Sequence, residues 1–324
     1  MGSAVAAALI AIVGLATGPK PGVQVWTGTP AHLGGARTVP GATSPVISPD
    51  GKRVAYVLSG ELRVQPADGG AVRTLTQVPG KDPTLAWSPD GARIAFPSEF
   101  SIVLLPVVGR GPVRLVRLPK AWEGSTLAAL QWSPDGGRLA FSRTSGDGKK
   151  NTLRNELDVI GVDGKGARTL HLNPAPYGAR PEPSWSPDSK RLAFNLDEFR
   201  LATVSVAGGA RVPLTNPPRG AVDGDPIWSP DGRWIAFARS PSRGVSDVWL
   251  AHPDGTSLRR LTITPIPPAG VAHVGSFPLA WSPDGTELLA FRHDRFAVVE
   301  VPTRASRDLR RVGLQYSLLG ARWN

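Results

Sequence analysis

Three carboxylates stand a few residues ahead of an aromatic in related contexts: Asp82 in KDPTLAW, Glu182 in RPEPSW and Asp225 in GDPIW. Acids that converge from separate segments raise one another's pKa or hold a hard cation such as calcium. An acid before Pro-x-Trp can equally serve the fold by bonding nearby backbone. A second candidate group is His273 in GVAHVGSFP with His293, Asp294 and Arg295 in FRHDRF. A His pair with carboxylates could bind a metal for acid–base chemistry, and the plainer alternative is a set of surface loop residues. Other chemistries are excluded. The chain has no cysteine, which removes thiolate nucleophiles, Cys-ligated zinc, iron–sulfur clusters and disulfides. It has no Gly-x-Ser-x-Gly elbow, no Gly-x-x-x-x-Gly-Lys-Ser/Thr, no His-Glu-x-x-His and no dinucleotide-binding glycine pattern. No cofactor is expected beyond a divalent cation at the acids.

The elements that would position these residues come from a repeat. The sequence reads ISPDGKRVAY from Ile47, WSPDGARIAF from Trp87, WSPDGGRLAF from Trp132, WSPDSKRLAF from Trp185, WSPDGRWIAF from Trp228 and WSPDGTELLAF from Trp281, and Trp323 stands next to the last residue. The spacings are 40, 45, 53, 43, 53 and 42 residues, in the range of propeller blades. Ser-Pro-Asp-Gly is turn chemistry, with Pro fixing φ and Gly supplying positive φ, so it joins two antiparallel strands. A third strand follows (61–65, 202–206, 247–251), then a turn, then a fourth (72–76, 258–262). Glycine and proline, 37 and 33 residues, fit many short strands and tight turns. The expectation is an all-β propeller of four-stranded antiparallel blades, seven in number, with six as the alternative. Residues 23–26 and 36–39 would pair with the Trp323 strand to close the ring as a three-stranded seventh blade.

These residues resemble the TolB-like propeller family, whose repeats carry this Trp-Ser-Pro-Asp-Gly signature. The resemblance covers residues 23–324. It implies one of three roles: exported scaffolds that bind partners, propeller halves of prolyl-oligopeptidase-type peptidases, or polysaccharide lyases. The missing nucleophile elbow and the lack of a second domain remove the peptidase. Two departures, Ser189 in place of the turn glycine and one extra residue between Gly285 and Phe291, predict local irregularity only.

Asp82, Glu182, Asp225, His273, His293, Asp294 and Arg295 should all lie on the face where second-to-third and fourth-to-first connections emerge, called here the top. The two longest units add residues on that face, at 143–156 and 262–278. Loops that lengthen on one face of a rigid ring are where specificity resides, with neutral drift as the alternative. Trp26, Trp122, Trp234 and Trp249 lie outside the turn motif, where they either pack between blades or stack on sugars. His32 and His252 belong to the opposite face, and His171 to an outer strand.

Residues 4–17 are 14 residues without a charge, too few to span a bilayer and the length of a signal-peptide core. Residues 1–22 therefore read as a signal peptide or anchor, without the usual basic start, and 23–324 as one propeller domain. The protein is expected to be exported: periplasmic, extracellular or membrane-anchored. The net charge of +11 favours an anionic partner such as an envelope polymer. The basic residues are spread through every unit without interleaved aromatics, which argues against nucleic acid. The expected function is a non-catalytic scaffold that binds a protein or peptide through its top face. The alternatives are a metal-dependent polysaccharide lyase using His273 and His293, or a carbohydrate-binding propeller.

Overall fold

The computed structural model describes residues 8–14, 22–29, 32–33, 37–80, 83–108, 113–146, 153–173, 180–241, 245–263, 276–292, 295–302, 304, 306–311 and 316–323. Seven antiparallel sheets follow one another, six of them four-stranded. Blade one is typical: Thr43–Ile47, Arg53–Leu58, Glu61–Pro66 and Arg73–Gln77, paired in chain order. Blades three, four and five begin at Thr126–Trp132, Ser184–Trp185 and Val222–Trp228.

In blades one to six the same turn joins the first strand to the second. Gly91 N–H donates to Ser88 O at 2.9 Å, Ser88 Oγ to Asp90 Oδ1 at 2.5 Å, and Arg93 N–H to Ser88 Oγ at 2.9 Å. Equivalent bonds recur at Ser48, Ser133, Ser186, Ser229 and Ser282. Ser189 shows how blade four does without the glycine. It adopts φ 59° itself, and its Oγ accepts from Asp135 N–H of blade three at 3.0 Å. The extra residue of blade six leaves the turn intact, since Glu287 N–H still reaches Ser282 Oγ at 2.9 Å.

The core lies between the sheets. Ala55, Val57 and Leu62 of blade one pack with Trp87, Ile94 and Phe96 of blade two, and the same relation joins blades two to three, three to four, four to five and five to six. The repeat tryptophan also links blades through its polar edge. Trp87 Nε1 donates to Val46 O, Trp132 Nε1 to Ala86 O and Trp281 Nε1 to Ile227 O, at 3.1 to 3.2 Å.

The seventh sheet departs from expectation. Tyr316–Trp323 does not pair directly with Gly22–Thr29. Between them lies Ala8–Gly14, antiparallel to both, and Arg37–Pro40 and His32–Leu33 pair with the outer side of Gly22–Thr29. The blade is therefore not the expected three-stranded one: its second strand comes from the segment read as a leader. Opposite Trp323, Ala8-Leu9-Ile10 take the places that Ile94-Ala95-Phe96 take opposite Trp87. No helix among the described residues is long and apolar enough to cross a membrane.

Candidate functional site

The inner strands of the blades enclose a central cavity of about 610 Å³. Its wall is mixed polar and apolar surface from successive blades, including Val46, Leu85, Leu130, Gln131, Ser184 and Pro226. What faces this channel is set by a bulge. In blades one, three and five, two first-strand residues oppose one aromatic of the second strand: Ser44 and Pro45 against Tyr56, Ala129 and Leu130 against Phe141, Asp225 and Pro226 against Phe237. The first of each pair has positive φ, 52° at Ser44, 50° at Ala129 and 54° at Asp225. Such a bulge breaks the alternation of the strand and redirects one side chain. The re-aimed residue stands three before the repeat aromatic.

That register sorts the sequence candidates. Asp225 holds the bulge position of blade five, and Glu182 the corresponding position of blade four, where its backbone N–H meets Asn195 Oδ1 at 3.4 Å. Both side chains are exposed to solvent, yet they lie inside the ring with protein on most sides, next to the channel-lining Pro226 and Ser184. The partial loss of water raises both carboxyl pKa values above the usual range, and the nearby Asp225 charge raises Glu182 further. Two acids from consecutive blades thus come together at the channel mouth. Asp82 lies outside the described residues. In its blade the same register is taken by Thr84, whose Oγ1 accepts from Leu130 N–H at 3.3 Å. No group of three metal-ligating side chains occurs among the described residues.

His273, His293 and Asp294 also lie outside the described residues. Arg295 opens the third strand of blade six, its backbone opposite Arg292. Of the other histidines, His171 is buried against Phe194 at 5.1 Å and His252 packs on Trp234 at 4.2 Å. Trp122 is buried, edge-on to Phe141. Of the two long insertions, hairpin strands extend through Ser145 and from Arg154, and residues 147–152 and 264–275 lie outside the described set.

Two buried ion pairs under the top face were not foreseen. Arg239 Nε and one terminal nitrogen donate to the two oxygens of Asp223 at 2.6 and 2.8 Å, and Arg239 stacks on Trp249 at 4.7 Å. Arg143 donates to Asp158 at 2.5 Å, lies 3.5 Å from Glu156 and stacks on Trp122 at 5.0 Å. Both arginines stand two residues after the second-strand Phe, the one sequence signal that marks them. Buried pairs of this kind fix register more than they add stability.

In Trp185 and Trp228 the indole N–H is buried and has no acceptor among the described residues. The inner ring therefore lacks its indole links in the sector that carries the acid pair.

No protein-family model matches the chain, and no curated protein matches it. Among solved structures it is similar to TolB from Acinetobacter baumannii, at 18% identity and a TM-score of 0.55, over 97% of this chain and 82% of that one. It is similar to an oligogalacturonate lyase from Vibrio parahaemolyticus at 12% identity and a TM-score of 0.60, over 94% and 84%. A puromycin-hydrolyzing peptidase from Mycobacterium tuberculosis matches at 16% identity and a TM-score of 0.61, over 94% of this chain and 54% of that one. At these identities the likeness concerns the fold, and the chain has the propeller fold seen in TolB.

Proposed function

We propose that this chain is an exported, non-catalytic scaffold that binds a protein or peptide through the top face of its propeller. The observation that carries the reading is the pair Glu182 and Asp225, two acids presented by neighbouring blades at the mouth of the central channel. The bulge that sets Asp225 at positive φ recurs at Ser44 and Ala129, so it belongs to the repeat, and in blade five the position it redirects carries a carboxylate. The similarity to TolB supports a scaffold without naming the partner.

Affinity capture from a cell-envelope extract tests the reading. The full chain is compared with a variant carrying Glu182→Lys and Asp225→Lys, both folded by circular dichroism. A protein retained by the parent and lost by the variant is the expected result. Equal capture by both, or none by either, removes the top-face reading. The lyase alternative, which draws on the fold shared with the Vibrio enzyme, separates cleanly. It requires turnover of a uronic-acid polymer that His273→Ala abolishes.

A further inference from the structure

A second cavity opens on the same face, a groove of about 440 Å³ between the blade-four hairpin 197–200 and the connection 216–221 that leads into blade five. Its apolar surface is Phe199, 48% exposed, with Pro217 and Pro218. The hairpin is held rigidly. Asp197 Oδ1 accepts from the backbone N–H of Phe199 and Arg200 at 2.9 and 2.8 Å, and Phe199 O accepts from Asp223 N–H of blade five at 3.0 Å. Phe199 thus keeps about half its surface open to water on a rigid support, which lowers the ordering cost of a contact there.

The charges around it are unequal. Asp197 and Arg200 neutralise each other through a bond of 2.7 Å. Arg219, exposed on the opposite wall, has no acidic partner among the described residues, and Glu198 lies outside the lining. The groove therefore offers an apolar floor and one uncompensated cation. From its inner end at Ala221 the chain runs as a strand toward Asp225, four residues or about 13 Å at 3.3 Å per residue.

We infer that this groove and the channel mouth together seat one extended peptide segment. It lies radially across blades four and five, a basic residue at Glu182 and Asp225, an aromatic or aliphatic residue on Phe199 and the prolines, and a carboxylate at Arg219. The inference rests on the top-face reading above and specifies the partner's chemistry, that of a segment whose basic and acidic ends match the two ends of the site.

Selection of a displayed random decapeptide library on the full chain is the test, repeated on Arg219→Glu, Phe199→Ala and a Glu182→Gln, Asp225→Asn variant. All four positions are exposed, so the variants should fold, which circular dichroism checks. The parent should enrich peptides with a basic residue three to five positions from an adjoining aromatic and acidic pair. Arg219→Glu should exchange the preferred acid for a base, and Phe199→Ala should weaken the enriched peptides about tenfold, near 1.4 kcal/mol. The uncharged mouth variant should lose the preference for a basic residue. Peptides that depend on the mouth acids while ignoring Arg219→Glu and Phe199→Ala overturn the groove and leave the top-face reading standing. No enrichment on the parent overturns both.

Discussion

Glu182 and Asp225 are carboxylates with raised pKa values, while the turn aspartates are the reverse. Asp90, Asp188 and Asp284 each accept a hydrogen bond from the serine two residues earlier, which holds them below the ordinary value of 3.8. The signs decide how each set responds to pH. A turn aspartate stabilises the fold above its unfolded pKa, and that contribution is lost as pH falls through the lower folded value. Asp225 behaves oppositely: the folded state favours its protonated form, so its contribution is present in acid and is lost as pH rises above 3.8. Asp225→Asn should therefore unfold at higher temperature than the parent at pH 7, with the difference vanishing below about pH 4, and asparagine tolerates the positive φ. The same substitution removes the like charge near Glu182 and should lower its pKa in a carboxyl NMR titration. An unchanged Glu182 titration would show that the two acids do not interact. In sequence these acids were legible as a kind but not as a set. Asp82 stands five residues before its tryptophan and the other two stand three, a distinction that matters only once the bulge register is known.

At the scale of the element, the second strand of each blade was legible because Ser-Pro-Asp-Gly fixes a turn locally and the apolar alternation follows at once. The bulge was not, since it depends on which first-strand residue pairs with the aromatic opposite. Ala8–Gly14 was ambiguous for a different reason: a charge-free apolar run satisfies both the leader pattern and the second-strand pattern, and here it pairs on both edges. Removal of residues 1–21 leaves Tyr316–Trp323 facing Gly22–Thr29 with nothing between, and that blade can close only by re-pairing as three strands. The shortened chain should melt below the full chain, by about 2 °C for each kcal/mol lost, with faster amide exchange concentrated in the seventh blade and its neighbours. Equal melting and equal exchange would mean the strand adds nothing to the ring.

Across the whole molecule arginine makes up 29 of the 37 basic residues, and several of these arginines bridge one blade to the next. Arg53 donates to Gly91 O at 3.0 Å and stacks on Trp87, Arg73 donates to Val107 O at 2.8 Å, and Arg259 donates to Val301 O at 3.0 Å and stacks on Trp234. Lysine cannot both stack and fork to a carbonyl in this way. Arg53→Ala with Arg73→Ala should cost about 2 kcal/mol in urea unfolding, and Arg53→Lys should recover little of the Arg53 share. The repeat made the ring legible at this scale, whereas the blade-bridging role of these arginines was not legible in the net charge. The central claim is that a partner meets the top face at the channel mouth. It is tested most directly by placing a photo-cross-linking amino acid at Thr84 on that rim and, separately, at Lys52 on the opposite face, then irradiating intact cells. The account predicts a discrete protein adduct from position 84 and none from 52. Adducts from 52 alone, or the same adducts from both, would contradict it.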